Sequence, residues 1–275
     1  MIKLVKFLLF LGFLFAVQFF CRKATDDFAI ELIKQPLKKA DAPMDPEISA
    51  ILQQPFHYLG SGGQCYAFAS EDGLYVLKTF KQHHLRLPSF IARISPEFLR
   101  EKFEKKERDL LVSCKISGNE LAKETGVVYL HLDDTPGVPT HILLIDKLKI
   151  SHNVPSHSLP FVLQKRAVPI FQRLNEIDES HAKKAIDRLV DLVRNRCEKG
   201  IADIDPFLDR NFGFIGNEVV EFDIGPFSYD PMLKYPEHAR REIYFELSAF
   251  QRRLCKNYPG LALYLQDHIE KILHE

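Results

Sequence analysis

This 275-residue chain has no tryptophan, but its other shortages say more. Its five cysteines, Cys21, Cys65, Cys114, Cys197 and Cys255, include no Cys-x-x-Cys pair, and their odd number offers no disulfide framework. The eleven histidines show no ligand spacing. His83 and His84 are adjacent, and adjacent side chains rarely converge on one ion, so no zinc is expected. Net charge is also absent: 37 basic residues balance 37 acidic ones, which argues against a nucleic-acid binder that works by neutralising phosphates. No Gly-x-x-x-x-Gly-Lys-Ser/Thr run occurs, which disfavours a P-loop enzyme. Internal repeats and low-complexity tracts are missing as well. What remains is a chain with 46% apolar residues and enough length for a real core, in one large domain or two small lobes.

The amino terminus stands apart. Lys3 and Lys6 precede an uncharged run from Phe7 to Phe20, followed by Cys21, Arg22 and Lys23. Counted from Ile2 to Cys21, with the lysines snorkelling, the run just reaches the roughly twenty residues a bilayer span needs. No small-x-small cleavage site comes after it, and Phe20 stands where a lipoprotein signal needs a small residue before Cys21. Residues 1–23 are therefore read as an uncleaved membrane anchor, with a cleaved signal as the alternative. Residues 24–51, with Pro36, Pro43 and Pro46, read as a linker holding one short helix.

From Phe56 the pattern turns to strands. His57-Tyr58-Leu59 leads into Gly60-Ser61-Gly62-Gly63, then Cys65-Tyr66-Ala67-Phe68, a turn at Asp72-Gly73, and Val76-Leu77-Lys78. Ser95-Pro96-Glu97 predicts a helix start with a capping hydroxyl, continuing through Phe98, Phe103, Leu110 and Leu111. Its charged face suggests Glu101–Lys105 support. Two more strands are expected at 127–130 and 141–145, then a loop over 149–160. A long helix is expected from Ser180 to Glu198, with Ile186, Leu189, Val190 and Val193 on one stripe and Lys199-Gly200 closing it. Two further helices are expected near 237–257 and 261–273. The plan is α+β: a strand-rich front with one main helix, and a mainly helical back.

Two stretches carry chemistry of their own. Glycines at 60, 62 and 63 let backbone N–H groups approach phosphate oxygens, although glycines between strands also simply make turns. Asn211, the strand Phe212-Gly213-Phe214-Ile215, the turn Gly216-Asn217, and the strand leading to Phe222-Asp223-Ile224-Gly225 form a second hairpin pattern. Pairing of these strands brings Asn211 and Asp223 to one end, and their oxygens suit a hard cation such as Mg²⁺.

Taken in order, these parts resemble the protein-kinase-like superfamily over roughly residues 56–228, in the manner of compact, atypical bacterial kinases. The resemblance implies a two-lobed fold, with 52–148 as the N-lobe, 149–275 as the C-lobe, and a hinge at Asp146-Lys147-Leu148. It implies ATP and Mg²⁺ as cofactors. Gly60, Gly62 and Gly63 would cover the phosphates. Lys78 would contact them and pair with a helix Glu, Glu107 first and Glu104 second. Asp205 would orient an acceptor hydroxyl, with Asp203 as the alternative, while Asn211 and Asp223 would carry metal. Departures exist: Asp205 and Asn211 are six positions apart rather than five, and Phe207 replaces the usual loop Lys, with Arg210 as a substitute for its charge. No Ala-Pro-Glu ending is present. The implied function is a kinase acting on a protein, a sugar or a lipid-linked sugar. The alternative is a pseudokinase serving as a membrane-tethered scaffold. Because ATP is cytoplasmic, an active domain is expected on that side of the membrane, with secretion as the other outcome.

Overall fold

The computed structural model describes residues 2–40, 43–225 and 227–274. In chain order, α1 (Ile2–Thr25) and α2 (Pro46–Leu52) precede β1 (Phe56–Ser61), β2 (Cys65–Ser70) and β3 (Tyr75–Phe80). Short helices α3 (Gln82–Leu85) and α4 (Ser89–Ile94) lead into α5 (Glu97–Asn119) and α6 (Ala122–Thr125). Five strands come next: β4 (Val127–His131), β5 (His141–Ile145), β6 (Ser151–Pro155), β7 (Phe161–Lys165) and β8 (Val168–Pro169). After them lie α7 (Ile170–Leu174), α8 (Glu179–Glu198), β9 (Ile201–Asp203), α9 (Leu208–Asn211), β10 (Phe212–Ile215), β11 (Glu218–Glu221) and β12 (Phe227–Tyr229). Helices α10 (Pro236–Asn257) and α11 (Pro259–His274) complete an α+β chain with a helical carboxyl-terminal part.

The chain divides into two compact units. The first runs to Ser95 and takes in His131–Leu163; the second holds Pro96–Leu130 and everything from Gln164 onward. Strands of the first unit lie in the order β7-β3-β2-β1-β5-β6. β1, β2 and β3 form an antiparallel meander, whereas β5 runs parallel to β1 with Phe56 opposite Leu144. A bulge between Tyr58 and Gly60 shifts the β1 register, so Gly60 faces Ala67 and Ser61 faces Tyr66.

Four expectations change here. The loop expected over 149–160 contains β6, a short strand paired with β5 from His141↔Pro155 to Ile145↔Ser151. Asp146-Lys147-Leu148 is therefore the turn of a hairpin inside the first unit and not a hinge; the chain leaves that unit after Leu163. Ser95 does not cap α5. Its hydroxyl donates to the Ile91 carbonyl at 2.7 Å, and Pro96 takes the N-cap position with extended backbone. Residues 24–51, read as a linker, hold buried Phe28, Ile33 and Met44, with Phe28 edge-on to Tyr66 and Phe68.

In the second unit, the apolar stripe of α8 (Ile186, Leu189, Val193) packs with Leu247, Phe250 and Leu254 of α10 and Leu265 and Ile269 of α11. β10 pairs with β11 on one side and β8 on the other. Gly213 of β10 passes so close to β8 that an added Cβ would lie 2.5 Å from the Val168 carbonyl oxygen. That neighbour is backbone and cannot swing aside. Gly213→Ala is therefore expected to lower stability by about 1–3 kcal/mol, the usual cost of overpacking. Urea unfolding should show a lower midpoint for Gly213→Ala and an unchanged one for Gly60→Ala, where a Cβ meets nothing within 4 Å.

Candidate functional site

In the second unit, α8 ends at Glu198 with Lys199 as its C-cap, and Gly200 takes a left-handed turn (φ 72°) into β9. β9 delivers Asp203 into the interior and Asp205 to the surface. The two aspartates are linked, since the Asp205 N–H donates to Asp203 Oδ1 at 2.8 Å. Asn211 closes α9 and is 8% exposed; its Nδ2 donates to the Asp205 carbonyl at 2.9 Å, and its own carbonyl accepts from the Phe222 N–H at 2.8 Å. The β10–β11 ladder, running from Phe212↔Glu221 to Ile215↔Glu218, thus extends by one residue past its end. Asn211 thereby lies across from Phe222, with half-buried Asp223 next in line.

Residues after Asp223 are clamped from α5. The Ser113 hydroxyl donates to the Ile224 carbonyl at 2.5 Å and accepts from the Phe227 N–H at 2.9 Å. Ile116 and Leu121 pack against Ile201 and Phe227 just beneath. Asp223 Oδ1 accepts a 3.3 Å hydrogen bond from the Gly225 N–H, which turns the chain back toward β12. β12 then pairs with β9, Phe227 opposite Asp203. Local bonding thus ties Asp205, Asn211 and the Asp223 strand to one another.

Sequence reasoning missed the charge cluster below this corner. Arg196, 1% exposed, donates from Nη1 to both Glu221 oxygens at 2.8 and 2.6 Å and from Nη2 to Glu246 at 2.5 Å. Asp203 Oδ2 lies 3.7 Å from the same guanidinium. Burial works against the Arg196 charge, yet Glu221, Glu246 and Asp203 together raise its pKa. Burial lifts Glu221 well above the ordinary carboxylate range and pushes Glu246 up to about 7, despite Arg196. Three carboxylates around one guanidinium in a dry interior cannot all be ionised cheaply. Asp203 Oδ2 and Glu246 Oε2 lack hydrogen-bond partners among the described residues, leaving acceptor positions for a retained proton. A sequence signal did exist: Arg196 continues the Ile186-Leu189-Val193 stripe, where an apolar residue belongs.

The two aspartates weighed for the acidic loop therefore differ in kind. Asp203 is buried and bonded inward, whereas Asp205 is exposed. Arg210, proposed from sequence to replace the missing loop Lys, stacks its guanidinium 4.5 Å over the Phe207 ring. On α5, Glu107 is half-buried while Glu101 and Glu104 are exposed, and Glu104 pairs with Arg108 at 3.7 Å. Lys105 pairs with Asp109 at 2.6 Å, one turn beyond the Glu101 partnership expected from spacing.

In the first unit, Lys78 is half-buried in mid-strand, opposite Ala67, not at the strand end. The Gly62 N–H donates to the Cys65 carbonyl at 2.9 Å; the Gly62 and Gly63 carbonyls accept from Lys81 Nζ at 2.6 Å and His84 Nδ1 at 2.9 Å. None of Gly60, Gly62 and Gly63 has a positive φ, and added Cβ atoms at 60 and 63 meet nothing within 4 Å. Neither backbone strain nor packing demands glycine there, so the open face remains available to a ligand.

No protein-family model matches the chain, and no curated protein does. Among solved structures, it is similar to a high-resolution structure of WbdD at 13% identity and TM-score 0.40, over 79% of this chain and 45% of that one. A second structure, of "the bifunctional kinase-methyltransferase WbdD", matches at 14% identity and TM-score 0.39, over 90% and 49%. This chain spans about half the length of those it matches. A likeness that loose assigns no activity, so function has to be argued from this chain's own residues.

The raised carboxylates make a stability prediction. Folded protein holds protons on Glu246 and Glu221 that the unfolded chain has already released, so their contribution is complete at acid pH and is lost as pH rises through about 7 for Glu246. Urea midpoints taken from about pH 5 to about pH 8 should fall, and Glu246→Gln should flatten the slope.

Proposed function

We propose that the chain is a phosphotransferase that uses ATP and Mg²⁺ to phosphorylate a hydroxyl group. The observation that carries this reading is Asn211, bonded through Nδ2 to the Asp205 carbonyl and through its own carbonyl to the N–H of Phe222, the residue before Asp223. Backbone bonding thus links one amide to the segments that carry an exposed carboxylate and a half-buried one. Asn211 commits Nδ2 to the Asp205 carbonyl, which leaves its amide oxygen as an acceptor. That oxygen and the Asp223 carboxylate are hard donors of the kind Mg²⁺ takes, usually one or two from protein with phosphate and water supplying the rest. When bound, Mg²⁺ would neutralise charge on the phosphate oxygens.

The remaining roles belong to the chain's own residues. Asp205 orients the acceptor hydroxyl and takes its proton as the oxygen bonds to the γ-phosphorus; the bond to the β-phosphate bridging oxygen breaks, and ADP leaves. Burial of Asp203 supports this choice over the alternative: Asp203 fixes the Asp205 backbone and is a positioning residue. Arg210 over Phe207 supplies positive charge beside the loop. In the first unit, the open faces of Gly60 and Gly63 would admit phosphate oxygens to the backbone, while the Gly62 N–H is committed to the Cys65 carbonyl, and Lys78 would hold the phosphate chain.

Detergent-solubilised full-length protein should release ADP from ATP in the presence of Mg²⁺ and form a phosphorylated acceptor or autophosphorylate. Asp205→Asn should lower turnover by roughly 10²–10⁴-fold, the span of general-base contributions. Asp223→Asn should abolish turnover, and Lys78→Ala should raise the ATP requirement. Equal turnover in wild type and Asp223→Asn would falsify the reading. A second reading, a nucleotide-binding scaffold, is favoured by one observation, the extra residue between Asp205 and Asn211 with Phe207 in the loop. It predicts a rise in Tm with ATP and Mg²⁺ but no turnover.

A further inference from the structure

Helix α1 contains, at Lys6–Thr25, one stretch long and apolar enough to cross a membrane, and none of that stretch is buried. The helix ends in a rigid joint. Asp26 and Asp27 both adopt left-handed backbone (φ 51° and 59°), and the Asp27 N–H returns to the Arg22 carbonyl at 2.9 Å, a Schellman-type stop. The Arg22 guanidinium pairs with Asp27. Asp26 accepts from Tyr58 on β1 and from Lys147 in the β5–β6 turn, each at 2.8 Å, and the Tyr66 hydroxyl donates to the Asp27 carbonyl at 2.7 Å. Phe28 is buried edge-on against Tyr66, Phe68 and His152. The helix is thereby locked to three strands of the first unit.

β1 and β5 run parallel, so the α1 joint, the glycine turn after β1 and the 146–150 turn all share one end of that sheet. The 146–150 turn is itself rigid: Asp146 Oδ1 accepts from the Leu148 and Ile150 N–H groups at 2.8 and 2.9 Å, and Asp146 Oδ2 meets His152 at 2.8 Å. It presents Leu148 and Ile150, each about half exposed, between Lys147 and Lys149. Leu59 is exposed at the same end. The acids here, Asp26, Asp27 and Asp146, are all engaged internally, while Lys23 and Lys149 have no acidic partner among the described residues. Between α1 and the glycine turn runs a groove of about 830 Å³, lined by Phe15, Phe19, Arg22, Lys23 and Lys81 and by the paired acids Asp26 and Asp27.

We infer that this end of the sheet is a bilayer-facing surface that binds anionic lipid. Leu148 and Ile150 enter the interface beside the α1 exit point, Lys23 and Lys149 meet lipid phosphates, and the groove takes one lipid with its acyl chain along Phe15 and Phe19. Apolar side chains flanked by lysines are the composition interfacial segments use, and each basic residue near an anionic leaflet adds attraction.

The test uses the full chain in nanodiscs of phosphatidylcholine and phosphatidylglycerol, with exposed Cys21 and Cys255 replaced by Ser. An environment-sensitive dye is placed on Leu148→Cys, and in a second sample on Leu74→Cys, at the β2–β3 turn on the opposite end of the sheet, roughly 20 Å away by strand rise. The expected result is a blue shift and quenching by brominated acyl chains at position 148 but not at 74, with the position-148 quenching reduced when phosphatidylglycerol is omitted or when Lys149→Glu is added. A dye at 148 that stays in water, equal quenching at both positions, or quenching indifferent to anionic lipid overturns it.

Discussion

A single buried guanidinium organises the second unit. Arg196 leaves the apolar stripe of α8 and grips Glu221 at the end of β11, Glu246 on α10 and Asp203 at the end of β9. Two of these partners lie beside residues the proposed chemistry uses. Asp203 holds the backbone of Asp205, and Glu221 stands two residues before Asp223. Such a cluster is expensive, because its charges are out of water and outnumbered three to one by carboxylates. An apolar replacement would pack more cheaply, so the cluster makes better sense as a device for fixing the directions of two strand ends than as a source of stability. Ser113 performs the same service from α5, tying down the chain on the far side of Asp223.

The first unit solves a different problem. Its sheet carries an exposed glycine turn whose residues are required neither by φ nor by neighbours, beside a helix of membrane-crossing length. A loose tether between helix and sheet would leave that turn anywhere. Instead, the chain stops the helix within two residues and bonds the stop to β1, β2 and the β5–β6 turn. The direction in which the helix leaves thus becomes a property of the folded unit.

Much of the fold was legible in order and kind. Strict alternation with Asp72-Gly73 gave the β2–β3 hairpin, and the α8 stripe ran to Gly200 as its spacing required. The Asn211–Asp223 hairpin appeared with Gly216 in the left-handed turn. The hidden parts have physical causes. Ser151-His152-Asn153-Val154-Pro155 has only one apolar interior residue, Val154, so pairing with β5 rather than propensity makes it a strand. Phe28 is buried against Tyr66 and Phe68 of a sheet assembled later in the chain, which local composition does not report. Arg196, Glu221 and Glu246 are charged residues standing on apolar stripes, and that misfit is their mark in the sequence.

Amide hydrogen exchange across Arg196→Lys puts the organising role of this guanidinium to its sharpest trial. Lysine keeps the charge but loses the fork that spans Glu221 and Glu246. If the guanidinium sets the directions of β9 and β11, the Asp205 and Phe222 N–H groups should be protected in the wild type and exchange faster in the variant, with the Gly62 N–H unchanged. Unaltered protection at Asp205 and Phe222 would contradict it.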